Sequence, residues 1–238
     1  PFGQGQVNRM TCPSGHQTLF VPGIESGPMM PFGVQAMATE SWGTWGVEAF
    51  EDVRQRTGAA MWIAHAEGRD VDELATLRPD GLELYQLHAN LGPDIRRDDL
   101  GLDPYSWLGE VGPFFFAESN GVLDPPQPDL GIIAFIEPNE PAAVALETLG
   151  QDQRIGVSGG TDAHQNVLPV DAGDGERVDS YRRMTRWFHT RIRVDADSAE
   201  AAVDALKEAR AWVVFEAFGT PAGFDLFDSV DHAWQLTR

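Results

Sequence analysis

A single cysteine, Cys12, stands in the whole chain, so no internal disulfide can form and a zinc site built from four cysteines is excluded. The redox compartment stays open. Basic residues are scarce as well: 17 Lys and Arg face 37 Asp and Glu, giving a formal net charge of -20. That balance repels the phosphates of nucleic acids and offers no basic patch to anionic lipid, so neither is an expected partner. Lysine occurs once, at Lys207, and no functional reading is drawn from that bias. No apolar run approaches the roughly 18 residues that a membrane span needs, which makes a soluble protein the expectation. Internal repeats and low-complexity tracts are absent too. The opening residues PFGQGQVNRM show no initiator Met, basic n-region or apolar h-region, and read as a processed or trimmed start. Localisation is left between the cytoplasm and export after signal removal.

What is present suits one sizeable core, because 238 residues is a common length for a single α/β barrel. Thr44 is a plausible N-cap for a helix that places Val47, Phe50 and Val53 on one face and ends at Gly58. Strand MWIAH, residues 61–65, follows directly. A second helix opens at Asp197 or Ser198, carries Ala199, Ala202, Val203, Leu206 and Ala209 at helical spacing, and leads into the β-rich run AWVVFEAF at 211–218. Between them lie GLELYQL at 81–87, LGIIAFI at 130–136, a helix through Pro141 to Leu149, and RIGVSGG at 154–160. Alternation of short apolar strands with helices predicts a parallel sheet buried by helices, either a barrel or a doubly wound sheet. Leu91 to Asp129 and Pro169 to Ser180 read as irregular polar excursions.

In such folds ligands collect beyond the carboxyl ends of the strands. Four strand ends here carry metal-ligating types: LFVPGIES ends at Glu25, MWIAHAEG at His65, GLELYQLH carries Glu83 and then His88, and GVSGGTDAH supplies Asp162 and His164. Carboxylate oxygen and imidazole nitrogen both ligate zinc, manganese or iron. In an extended segment Asp162 and His164 can reach adjacent metals. Any one of these residues alone is more simply a structural His or a surface carboxylate. The joint pattern is harder to dismiss.

VPGIE, IAHAEG, DGLELY and SGGTDAH, in this order and spacing, resemble the later motifs of the polymerase and histidinol phosphatase (PHP) metallohydrolases. The closing segment ALKEARAWVVFEAFGTP is similar to the helix and strand after Asp-x-His in the carbaryl-esterase-like branch of that superfamily, and the likeness runs from about Phe20 to Phe218. The resemblance implies a distorted (β/α)7-type barrel over residues 1–224, incomplete at its N-terminus, with 225–238 a tail or the start of a following module. It further implies two or three divalent metal ions (Zn, Mn or Fe) that activate water at the carboxyl ends of the barrel strands, mostly to hydrolyse phosphate esters. By motif Glu25 would be the bridging carboxylate, His65 an imidazole ligand where the family usually has His-Pro, and Asp162 and His164 ligands to different metals. Glu83 would stand near the site without ligating. Apart from the resemblance, Arg69, Arg96 and Arg97 are candidates to hold an anion, although exposed surface arginines are the commoner outcome. The family's opening His-x-His and its Thr-Asp-His do not occur before Glu25, and no Gly-His follows the Gly-x-Glu motif. His16 does not match any of them. Should these ligands lie before Pro1, the enzyme is ordinary; if they were lost, one metal or none is bound.

Two rivals follow. Gly156 to Gly160 satisfies G-x-S-x-G, the nucleophile elbow of a serine hydrolase with Ser158 as nucleophile and Asp195 and His232 as partners, but the stretch after it does not read as the helix an elbow requires. The other rival is a catalytically inactive PHP-like binding domain that has lost part of its metal site.

Overall fold

The computed structural model describes residues 7–36, 40–116, 126–165 and 168–219. Two strands, β1 (Asn8–Thr11) and β2 (Gln17–Phe20), form an antiparallel hairpin anchored by Arg9, which pairs with Asp197 at 2.6 Å. Next come β3 (Met29–Phe32), α1 (Val47–Thr57), β4 (Ala60–Ile63), α2 (Val71–Leu77) and β5 (Gly81–Gln86). The chain continues through α3 (Leu87–Leu91), α4 (Pro93–Asp98), α5 (Trp107–Phe115), α6 (Glu140–Gly150) and β6 (Gly156–Gly160). It ends in α7 (Tyr181–Trp187), β7 (Phe188–Ile192), α8 (Ala199–Lys207) and β8 (Ala211–Phe215).

The central sheet has the order β3-β4-β5-β6, with β4, β5 and β6 parallel and β3 antiparallel at the edge. Its alternation sorts side chains cleanly. Met61, Ile63 and Leu82 face a core closed by Phe50 and Val53 of α1, Leu74 and Leu77 of α2, and Ala142, Ala145 and Leu149 of α6. Trp62 points to the opposite face, where it packs edge-on against Phe32 and is covered by Val203 and Leu206 of α8. Glycine is required beneath that indole: a Cβ at Gly81 would lie 2.5 Å from the ring, and one at Gly156 2.7 Å.

The expected mixed α/β architecture is present, but among the described residues there are three small sheets and no closed barrel. One reason is LGIIAFI, expected as a strand and found instead within a 3-10 segment, Pro128–Phe135. Ile132 and Phe135 are fully buried there among Trp107, Phe115 and Trp187, while Ile133 between them is exposed, so the run is apolar on its outer side too and does not reveal its period. Another is that β7 and β8 pair with each other as an antiparallel ribbon that packs on β6, with Phe188 and Val213 over Gly159, without extending the sheet. The supposed excursion after Leu91 holds two helices, α4 and α5. Thr44 is not the cap of α1, because its hydroxyl donates to Ser41 O and the helix begins after Gly46; Gly58 does end it in the left-handed conformation. Ser198 caps α8 as expected, and Asn139 caps α6. The tail expected at 225–238 lies outside the described residues. No helix among the described residues is long and apolar enough to cross a membrane.

Candidate metal centre

Parallel pairing of β4, β5 and β6 brings three strand exits to one sheet edge. After β4 the chain turns at His65, whose φ of 52° is left-handed, into a 3-10 turn at Ala66–Gly68. After β5 the Gln86 side chain caps α3 by accepting from Ala89 N, which sets His88 in the first turn of that short helix. After β6 the two glycines lead to Asp162, also left-handed at φ 47°. Left-handed backbone at a non-glycine residue is uncommon and clusters at functional sites.

His65, His88 and Asp162 each present a ligand atom, and these atoms all lie within 4.8 Å of one another. Asp162 Oδ2 stands 2.8 Å from His88 Nδ1, and its Oδ1 stands 3.0 Å from His164 Nε2. The two rings of His65 and His88 meet edge to face at 5.8 Å. Behind them, His65 Nδ1 lies 2.8 Å from Glu67 Oε1, and Glu67 Oε2 accepts from Asn139 Nδ2 at 3.1 Å. With its proton on Nδ1, the ring is held by the carboxylate, and its Nε2 accepts from the amide of the buried Gln86 at 3.2 Å. A carboxylate that fixes the far nitrogen of an imidazole is the usual support for a metal-ligating histidine.

Electrostatics follow from this packing. Glu67's hydrogen bond raises the pKa of His65 against the opposing effect of burial, helped by the charges of Glu67, Glu83 and Glu25. Burial works against ionisation of Glu67, but hydrogen bonds from His65 and Asn139 outweigh it and hold the carboxyl below its ordinary value. Glu83 behaves oppositely. Burial pushes it up to about 7, although its Oε2 accepts the His65 backbone N–H at 3.1 Å. Gly160 makes room for it, since a Cβ there would overlap the Glu83 carboxylate.

The residues expected at the site are distributed as follows. His65 and Asp162 belong to the three-residue group; His164 touches Asp162 but is largely exposed and lies outside that group. Glu25 is exposed in the turn between β2 and β3. Because β3 runs antiparallel to β4, with Met29 opposite Ile63, that turn falls at the same sheet edge, and the Glu25 charge is felt by both His65 and Glu83. His16 is exposed in the loop of the first hairpin. Arg69 stacks over Trp45 at 5.6 Å. Arg96 is no anion ligand: it is fully buried and donates to Asn90 O, Asp103 O, Ser106 and Glu137. Arg97 is an exposed partner of Asp94 and Asp98. Ser158 sits buried inside β6, where an elbow would expose it on a turn, and His232 lies outside the described residues.

The sequence alone assigns no role to His88, Glu67 or Asn139. For His88 the signal was there, a histidine directly after a strand whose neighbours also end in ligands. Glu67 had a weaker one, its spacing from His65 in IAHAEG. Comparison of the chain with protein-family models, with curated proteins and with solved structures finds no match in any of the three.

Proposed function

We propose that this chain is a metal-dependent hydrolase of esters, with phosphate esters as the first candidate substrates and carboxylic esters or carbamates requiring the same parts. The observation that carries the proposal is the convergence of His65, His88 and Asp162 at the carboxyl edge of the parallel strands. Two imidazoles and a carboxylate are a donor set suited to zinc, iron or manganese, and three protein ligands leave coordination positions open for catalysis. The likeness of VPGIE, IAHAEG, DGLELY and SGGTDAH to the PHP metallohydrolases, with their two or three metals, supports the same reading.

A divalent ion held here would supply a Lewis acid and bring the pKa of the water it activates down toward neutral. Glu67 holds the His65 ring by its Nδ1, and Asn139 keeps Glu67 in place. Asp162 aligns His88 and His164 on its two oxygens. Glu25 adds negative charge at the rim, suited to a second cation. Glu83, near 7, shares its proton about equally between bound and released at neutral pH, directly behind His65.

A second reading, a binding domain with a reduced metal site, is favoured by the position of Glu25 and His164 outside the three-residue group. Metal analysis of the purified protein, paired with hydrolysis of 4-nitrophenyl phosphate and 4-nitrophenyl acetate before and after chelation, separates the two. Chelator-sensitive hydrolysis that is lost in His88→Ala is the expected result. Metal uptake without hydrolysis of either ester would favour the binding domain, and hydrolysis untouched by chelation would sink the proposal.

A further inference from the structure

Gln86, the last residue of β5, is 2% exposed, and both ends of its side-chain amide are in use. Its Oε1 accepts from Ala89 N at 3.1 Å, and its Nε2 lies 3.2 Å from His65 Nε2. Its main chain is held too, since Gln86 O accepts at 3.3 Å from Nδ2 of the fully buried Asn90. One side chain thus joins the exit of β4 to α3, the helix that carries His88.

Chemistry fixes the direction of every bond in this chain. A backbone N–H can only donate, so Ala89 takes the Gln86 oxygen and leaves the NH2 group facing His65. That group also only donates, so His65 Nε2 must present a lone pair and the ring proton must sit on Nδ1. A second ring proton would set two donors against each other. Glu67 Oε1, 2.8 Å from Nδ1, agrees with this tautomer. Beyond it Glu67 Oε2 accepts from Asn139 Nδ2, and Asn139 Oδ1 accepts from Ala142 N at 3.1 Å. The relay therefore runs from the N-terminus of α6 to that of α3 with His65 between them, and both anchors are main-chain amides that cannot reverse.

An imidazole ligates a metal through its unprotonated nitrogen. In His65 that nitrogen is Nε2, and the Gln86 amide already holds its lone pair. We propose that Gln86 guards the metal group: an incoming ion takes His65 Nε2 only by exchanging with the Gln86 N–H, so this one hydrogen bond weakens the affinity of the group. The inference rests on the metal reading of His65, His88 and Asp162. Glu67 and Asn139 act in the opposite sense, because their bonds lie on the Nδ1 side and survive the exchange.

Zinc affinity is measured on the full chain, by competition with a chromophoric chelator, in the parent and in Gln86→Ser. Serine is a favoured N-cap that still accepts from a backbone amide of the first turn, but it is too short to reach His65. Loss of the competing bond should tighten zinc binding about threefold to tenfold, the worth of one net hydrogen bond. A residue that supported the site would shift affinity the other way, so equal or weaker binding in Gln86→Ser would overturn the proposal. Gln86→Met, which keeps the volume, is read in its place if the serine variant does not fold. Nitrogen NMR of the histidine rings, with chelator present and the His65 ring neutral, gives a second readout. The parent should show the proton on Nδ1 and a bare Nε2 whose signal moves in Gln86→Ser; a proton on Nε2 or an unmoved signal would overturn the proposal without reference to any ion. Zinc bound by neither protein sinks the hydrolase reading and this inference with it, whereas zinc bound equally by both sinks this inference alone.

Discussion

At the scale of single residues, each histidine and carboxylate of the centre has a separable duty. His88→Ala and Asp162→Ala each remove a ligand atom and should abolish metal binding, as read by metal analysis after dialysis. Glu67→Gln keeps the packing and loses the charge that fixes His65, so affinity should fall roughly tenfold to a hundredfold with the fold intact. Titration calorimetry distinguishes that graded loss from the complete one. Glu83 makes a different kind of prediction. Its carboxyl sits at about 7 in the folded protein against 4.5 when free, so the folded state holds the extra proton between those values. Stability of the chelated protein should therefore decline as pH rises from 4.5 through 7, by up to about 3 kcal/mol, since each pKa unit is worth about 1.4 kcal/mol. Glu83→Gln should remove that contribution, gaining on the parent as pH rises in urea melts; parallel stability curves for the two would contradict it.

Elements account for what was and was not legible in the sequence. Strands β4, β5 and β6 announced themselves, because each is a short apolar run cut off by glycine or a ligand-type residue, and α6 and α8 carried caps and helical period. The exits of these strands, with His65 and Asp162, were legible for the same reason. LGIIAFI reads as a strand but lies in the 3-10 segment, because the residue it turns to solvent, Ile133, is as apolar as the buried Ile132 and Phe135, and no polar face sets the period. Glu25 was tied to a strand end by its motif, but the strand it follows is the outer hairpin, and its approach to the site depends on the antiparallel β3, which sequence does not disclose. Sheet packing yields its own test at Gly81. A methyl group added there meets the Trp62 indole at 2.5 Å, between strands with little freedom to part. Gly81→Ala should destabilise the protein by about 1–3 kcal/mol in chemical denaturation, the usual effect of overpacking. A change below about 0.5 kcal/mol would show that the ring can move aside.

Across the whole molecule, charge and linkage set the behaviour. A chain carrying -20 gains from cations, and a cation bound to the folded state alone raises apparent stability by mass action. Zinc or manganese at about one hundred times its dissociation constant should add about 2.7 kcal/mol, which for a chain of this size raises the melting temperature by roughly 5–10 °C. Scanning calorimetry should show that rise in the parent protein and none in His88→Ala; equal rises would assign the effect to general screening of the acidic surface. Residues 65, 88 and 162 reach their shared end of the sheet by three neighbouring parallel strands, a non-local arrangement of the kind that is slow to form. During synthesis the first two histidines leave the ribosome long before the aspartate does. An ion that needs all three side chains, as proposed, would therefore be captured only once β6 has docked on β5.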